Sequence, residues 1–343
     1  MPSSLENHTG VLEQGSGEIL TLGYSDSVDF TSDRVLPAGG VLGVVAFGIN
    51  GPMELAPECL FGQVNMPALS ANPIYEIWGS QRPVTYECSG EIISARSKDI
   101  VFGHIQIEEN PDTDIETIAF DAYSRMFEFV DSSGFNALLR VWNYIPEINE
   151  SSDGLPRYQR FNLGRHEAFA VHRRKVESAP AACAVGTKSG PVGIFFLAGR
   201  GDVEPIENPR QVSAYHYPSQ YGPRSPVFTR ASLATVGGRQ TLFVSGTASV
   251  VGHESMHVGD PKAQADETIK NIHALLSEAR SRGFDLRPDG LHLKVYVRRP
   301  EDFPVIRDRV SRAFNPQGST VYILADICRP ELLLEIEGVG LSH

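Results

Sequence analysis

The sequence predicts an α+β protein of two fused β-α-β modules, with mixed sheets and helices packed on one face. Three observations carry this expectation. Two helices have clear start signals and one apolar face each, a strand follows each helix stop, and the order of elements is written twice along the chain. Of the 343 residues 41% are hydrophobic and 21% charged, enough apolar content to build a core and too much for a disordered chain.

Residues 1–90 are rich in Gly, Pro and Ser, and apolar runs such as Val41–Phe47 read as short strands between turns. The first copy opens with a strand around Ile100–Ile107 and an acidic helix start at Asp112–Asp114. The helix runs to about Asp131, with Ile115, Ile118, Ala122, Met126 and Phe129 recurring at helical spacing. Ser133-Gly134-Phe135-Asn136 stops it, and Ala137–Tyr144 follows as a strand. A helical stretch over Tyr158–Val171 and a closing strand at Gly193–Leu197 complete the copy. The second copy repeats the order: a strand at Thr241–Ser245, then Asp260-Pro261 as N-cap and first helical residue. Its helix buries Ala265, Ile269, Ile272, Leu275, Leu276 and Ala279 and stops at Arg282-Gly283-Phe284-Asp285. A strand at Leu293–Arg298, a helix at Glu301–Phe314 and strands at Thr320–Ala325 and Leu332–Gly338 follow.

Charge narrows the function. With 30 Lys and Arg against 42 Asp and Glu the net charge is −12, and no polybasic run exists, so no footprint for nucleic acid or an anionic membrane is present. An anionic small molecule would have to be held locally, by arginines in a cleft. Neither a secretory signal nor a long apolar span is visible, and the cysteines (Cys59, Cys88, Cys183, Cys328) form no CxxC pair. A cytoplasmic protein is expected.

Several short motifs compete for a functional role. His253-Glu254-Ser255-Met256-His257 fits HExxH, which binds zinc only on a helix, yet Gly252 and Gly259 bracket it and the Asp260 cap follows. It reads as a loop beside a cleft. Gly186-Thr187-Lys188-Ser189-Gly190 has the letters of a phosphate loop without its register and reads as a turn. A lone cysteine is most often a small buried hydrophobe, the bland reading of Cys183 and Cys328. The segment from Tyr215 to Pro226 places tyrosines, His216 and Arg224 among prolines, where hydroxyls and a guanidinium suit a carboxylated ring compound; a plain linker is the alternative. In the final strand, alternation puts Leu333, Glu335 and Glu337 on one face. Two such acids usually mark a solvated face, but the matching strand of the first copy is the apolar Gly-Ile-Phe-Phe-Leu. A partly covered glutamate there is a candidate general acid, since desolvation keeps it protonated.

On these residues the sequence resembles the chorismatases, whose second half is similar to the RidA/YjgF fold. Trp142-Asn143-Tyr144, Tyr217-Pro218, Tyr221 to Arg224, Leu293 to Arg299 and Leu334 to Gly338 carry the resemblance, which covers nearly the whole chain. It implies an amino-terminal region over residues 1–215 with a degenerate RidA-like module, a catalytic RidA/YjgF-like module over 216–343, and an active site in the cleft between them. It implies cleavage of the enolpyruvyl ether of chorismate to pyruvate without a metal or other cofactor. Glu335, the first Glu of Glu-Ile-Glu, is then the general acid that protonates the methylene carbon.

The resemblance also bears on the ring product. The branch that forms a dihydroxycyclohexadiene carboxylate has Ala at the places of Cys328 and Gly246, whereas this chain has Cys328, Gly246 and Gln211, like the 3-hydroxybenzoate-forming branch. Cys328 would steer ring chemistry, and 4-hydroxybenzoate is a related product. Arg224, Arg298 and Arg165 are the expected carboxylate ligands, with Tyr217, Tyr144 and Asn143 lining the same pocket. A RidA-like imine deaminase is disfavoured because its arginine position falls near Thr320. A non-catalytic binding protein is the remaining class. A monomer is expected, because the fused modules satisfy an interface that their simpler relatives form between chains.

Overall fold

The computed structural model describes residues 20–26, 39–48, 61–70, 73–87, 92–110, 113–152, 154–284, 286–314 and 320–341. The amino-terminal segment, Cys59, Cys88, Asp112 and Asp285 lie outside these residues. In chain order the elements are β1 (Leu20–Ser25), β2 (Gly40–Phe47), β3 (Phe61–Val64), β4 (Ile74–Ser80), β5 (Thr85–Glu87), β6 (Ile93–Arg96) and β7 (Ile100–Ile107). Next come α1 (Ile115–Ser133), β8 (Ala137–Pro146), the short pair β9 (Ser151–Ser152) and β10 (Leu155–Pro156), α2 (Arg157–Val171), β11 (Ala181–Thr187) and β12 (Val192–Gly199). The second half holds β13 (Gly201–Ile206), β14 (Ala231–Val236), β15 (Arg239–Thr247), the short pair β16 (Val250–Val251) and β17 (Glu254–Ser255), and α3 (Pro261–Ser281). It closes with β18 (Leu291–Val297), α4 (Phe303–Phe314), β19 (Thr320–Leu324), β20 (Asp326–Ile327) and β21 (Leu334–Leu341).

The duplication is a property of the topology. The first large sheet runs β11-β8-β12-β7-β6-β5 and the second β19-β18-β21-β15-β14-β13, the same order with corresponding parallel and antiparallel pairs. In each, a helix follows the third strand and a second helix joins the parallel pair, so both helices cover one face of their sheet. Short-range chemistry sets the helix ends. Asp114 accepts the Thr117 amide, and Gly134 adopts φ 76° to end α1. Asp260 accepts the Ala263 amide, and Pro261 occupies the first turn of α3.

The faces without helices turn toward each other and toward a four-stranded amino-terminal sheet, β1-β4-β2-β3. Phe47 and Trp78 of that sheet, Trp142 and Phe195 of the first module, and Phe243 and Tyr296 of the second share one core. Fully burying such side chains stabilises by roughly 1.5–3 kcal/mol each, so the faces that meet in this core hold one another in place.

The sheets divide at a different point from the expected boundary at residue 215. β13, at Gly201–Ile206, already pairs with β14 in the second sheet. Its acidic residues and Pro205 hid it as a strand, and these are the residues that an exposed edge strand tolerates. β11 was equally hidden, because its Ala-Ala-Cys-Ala core lacks β-branched residues. The carboxy-terminal segment then crosses between modules: β20 pairs with β11 at the edge of the first sheet before the chain returns as β21. Among the described residues no helix is long and apolar enough to cross a membrane.

Candidate active site

On β21 the side chains alternate. Leu334 and Ile336 enter the helix-side core, while Glu335 and Glu337 point to the face that meets the first module, where they are 4% and 5% exposed. The face expected to be covered is covered, and the two acids meet opposite surroundings. Glu337 accepts from Arg140 Nη2 at 2.5 Å, Trp142 Nε1 at 2.9 Å and Lys294 Nζ at 2.9 Å. Lys294 also pairs with Glu76 of β4, whose other oxygen accepts from Trp78 Nε1. Burial works against the charge of Glu337, but Lys294 and Arg140 outweigh it and hold its carboxyl at about 2. Among the described residues no cation is in hydrogen-bond contact with Glu335. Burial first, and the charge of Glu337 second, push it up to about 8, so it is a neutral acid at pH 7. Its Oε1 has no hydrogen-bond partner.

Glu335 lines a cavity of about 240 Å3 between the modules. The acid lies where β15 departs from regular pairing with β21, between Val244 and Thr247. Gly246 sits in that irregularity, and a Cβ there would come within 2.6 Å of Glu335 Cδ and 3.1 Å of Cys183 Cβ. Only glycine leaves room for the acid as it stands. Cys328 approaches on the segment between β20 and β21, its thiol pushed up to about 12 by burial and by Glu335; it is a neutral thiol.

Two buried arginines face the acid's cavity. Arg165 of α2 is 1% exposed and donates from Nη2 to Asn162 Oδ1 at 2.6 Å, while its Nε has no partner. Arg230 donates from Nη2 to the Val212 carbonyl and the Tyr217 hydroxyl, both at 2.7 Å, and its Nε is likewise unpartnered. Gln211 donates to the Val250 carbonyl at 3.0 Å and leaves Oε1 unmatched. At the cavity wall Arg329 lies 3.9 Å from the ring centroid of Tyr221, whose hydroxyl approaches His253 Nδ1 at 3.3 Å. His253–His257 spans a turn and β17, and His257 has φ 57°, so the HExxH letters share no helix face.

Of the residues expected at the site, Glu335, Cys328, Arg165, Tyr217, Gln211 and Gly246 line the cavity. Four do not. Arg224 is exposed on the segment that connects β13 to β14 and is absent from the cavity wall. Tyr144 is buried in the shared core, within 3.3 Å of Lys294 Nζ. Asn143 accepts from the Tyr123 hydroxyl at 2.9 Å and donates to the Cys183 carbonyl at 2.7 Å, fastening β11 to β8. Arg298 is engaged by protein acceptors throughout, as described below. Sequence reasoning missed Arg230, Arg329, Tyr158 and the placement of Cys183 in the cavity wall. Arg230 precedes a strand with no spacing that singles it out, and Cys183 lies on the unrecognised β11.

Fold and site together define an acid-bearing cleft between duplicated α+β modules: a neutral carboxylic acid beside unmatched guanidinium donors, equipped to protonate a small carboxylated molecule. A family model described as chorismatase FkbO/Hyg5-like, N-terminal, matches residues 76–198. A 3-hydroxybenzoate synthase of Streptomyces hygroscopicus is 38% identical over 341 residues, covering 89% of this chain and 94% of the relative. A chorismatase of Streptomyces rapamycinicus is 34% identical, covering 84% and 88%. A crystal structure of a chorismatase matches with a TM-score of 0.86 and 30% identity, over 95% of this chain and 100% of the other. The chain belongs to the chorismatase family.

Proposed function

We propose that this protein is a chorismatase of the 3-hydroxybenzoate-forming type, with Glu335 as the acid that starts the reaction. The observation that carries this reading is the buried carboxyl of Glu335, which lines the cavity beside Gly246 and Cys328 and which desolvation keeps neutral. The polar side chains of the cavity wall fit chorismate, which has two carboxylates and a ring hydroxyl. The guanidinium groups of Arg165 and Arg230 suit the carboxylates, and the side-chain amide of Gln211 suits the hydroxyl.

In this reading Glu335 gives its proton to the methylene carbon of the enolpyruvyl group. That carbon becomes a methyl group and the ether carbon an oxocarbenium-like cation, which the new carboxylate stabilises at close range. The ring hydroxyl displaces the cationic side chain at the neighbouring ring carbon: the bond from that carbon to the ether oxygen breaks, pyruvate leaves and the hydroxyl proton returns to Glu335. One C–O bond of the bridging oxygen then opens and a ring proton moves to oxygen, which makes the ring aromatic with no water gained or lost. The two products together contain the atoms of chorismate, so no oxidant is required. Cys328, a neutral thiol against the ring, steers the ring oxygen toward the aromatic product. The helix-free faces of both modules are covered within one chain, which supports a monomer. A cytoplasmic setting belongs to the same proposal.

A pyruvate-coupled assay with chorismate tests it, with chromatography of the ring product. The expected outcome is pyruvate with 3-hydroxybenzoate, abolished by Glu335→Gln. A dihydroxycyclohexadiene carboxylate or 4-hydroxybenzoate would correct the ring step alone. Ammonia from imines without pyruvate, or no turnover of either, would overturn the reading in favour of a deaminase or a binding protein.

A further inference from the structure

Arg298, at the end of β18, was expected to hold a substrate carboxylate, but its donors are all engaged. A guanidinium has five N–H groups in a fixed fork. Nε donates to the Leu332 carbonyl at 2.8 Å. Nη1 donates to Asn149 Oδ1 at 2.9 Å and Asp326 Oδ1 at 2.6 Å. Nη2 donates to the carbonyls of Ile327 at 2.8 Å and Arg329 at 3.0 Å. The side chain lies outside the cavity wall and has no donor left for a ligand.

Four of these five acceptors share one feature. Asp326, Ile327, Arg329 and Leu332 belong to the segment that leaves β19, pairs with β11 of the first module, and returns to become β21. That segment carries Cys328, Arg329, Pro330 and Glu331 into the cavity wall. Asn149 adds a second tie from the first module, donating to the Ile327 carbonyl at 3.0 Å. Beyond the brief pairing of Val185 and Gly186 with Ile327 and Asp326, the segment has no regular strand partner among the described residues. The fork therefore supplies directional constraints on both sides of Cys328.

We infer that Arg298 is a positioning residue: by clamping the crossover segment 326–332 it sets where the Cys328 thiol stands against the substrate ring, and thereby the partition between ring products. The inference rests on the proposed chorismatase activity for its product readout, and one of its tests is independent of that activity. Lysine keeps the charge but has a single nitrogen and no fork, so it cannot serve carbonyls on both sides of the thiol.

The experiment compares wild type with Arg298→Lys and, as the harsher change, Arg298→Gln, each checked for folding by thermal melting. The first readout is the rate at which N-ethylmaleimide labels Cys328, mapped by mass spectrometry with Cys183 as internal reference. The second is the ring-product ratio from chorismate. In Arg298→Lys, Cys328 is expected to label at least about fivefold faster with Cys183 unchanged, and the aromatic share to fall in the direction taken by Cys328→Ala. KM should move less than about twofold, because the guanidinium touches no ligand. Unchanged labelling and an unchanged product ratio overturn the inference. So does a KM raised about tenfold or more at constant product ratio, the mark of a lost carboxylate ligand. If wild type releases no pyruvate, the functional proposal fails while the labelling comparison still decides the role of the clamp.

Discussion

Glu335 and Glu337 stand two residues apart on one face of β21, and the protein holds the first neutral and the second ionised. The divergence follows from what each side chain meets. Lys294 and Arg140 reach Glu337, while Glu335 meets the cavity and the field of its ionised neighbour. Pairs of carboxyls pushed apart in this way are how one site keeps an acid ready at neutral pH.

In the proposed reaction Glu335 must carry its proton, so kcat should fall as pH rises through about 8. The same shift has a cost in stability, with a definite sign. A carboxyl whose folded value lies above its unfolded value of 4.5 destabilises the fold increasingly as pH rises from 4.5 to about 8. The full effect above that range is on the order of 5 kcal/mol. Glu335→Gln should therefore be inactive yet melt higher than wild type at pH 9, with the difference vanishing near pH 4. Equal melting curves at both pH values would show that the carboxyl is not desolvated.

Glu337→Gln acts in the opposite sense. Its folded value of about 2 lies below 4.5, so its stabilisation is present above pH 4.5 and lost as pH falls through about 2. Removing that charge leaves Lys294 and Arg140 with Glu76 as the remaining acid of the buried network. Breaking a buried ion pair typically costs about 3–5 kcal/mol, and urea unfolding at pH 7 should show a loss of that size. The surviving activity should titrate at lower pH than in wild type, because Glu335 loses the like charge that raises it.

Gly246→Ala tests the fit around the acid. The added methyl would overlap the Glu335 carboxyl, which is hemmed in by the wall that Cys183 supplies, so the carboxyl has to turn. The expected result is a shift of product toward the dihydroxycyclohexadiene carboxylate with pyruvate release at least about tenfold slower, a barrier change near 1.4 kcal/mol. Wild-type rate and product in the alanine variant would show that the acid's present orientation does not govern the chemistry.

The pattern of the chain announced some of this and concealed the rest for physical reasons. The Asp114 and Asp260 caps, the Gly134 stop and the buried stripe of α3 are local effects, and they stand where residue chemistry puts them. Glu335 was legible because period-2 alternation and the apolar β12 implied a covered face. The arginines were not. Arg165, Arg224, Arg230 and Arg298 look alike in sequence, and only the three-dimensional count of acceptors separates an unmatched Nε from a saturated fork or a solvated side chain. Arg230 took the place in the cavity that Arg224, a few residues earlier, was expected to fill.

Arg165 and Arg230 should accordingly be the arginines that matter for binding. Each is buried and lines the cavity, where a guanidinium fork can take a carboxylate with little competition from water. Arg165→Lys and Arg230→Lys are expected to lower kcat/KM by about a hundredfold or more, since the planar fork is lost at a buried site. Arg224→Lys, on an exposed side chain, should leave kcat/KM within about twofold. The reverse order of effects in steady-state kinetics would place the carboxylates elsewhere.

His104 gives a last test, remote from the chemistry. It is 4% exposed on β7, stacked on Phe195 with ring centroids 5.1 Å apart, and among the described residues neither ring nitrogen has a partner. Burial lowers it from 6.5 to about 4, so the folded state stays neutral where the unfolded chain takes up a proton. Stability is then lost as pH falls from 6.5 toward 4, by at most about 3 kcal/mol. Glu335 slopes the other way over the upper part of this range, since acidification relieves its desolvation. Near pH 5–6 the two contributions offset in wild type. His104→Leu removes one of them, so its unfolding free energy relative to wild type should climb by about 1.4 kcal/mol for each unit of acidification in that window. Urea titrations at pH 6.5, 5.5 and 4.5 measure this directly, and parallel pH profiles for the two proteins would mean that the imidazole finds a proton acceptor when it is charged.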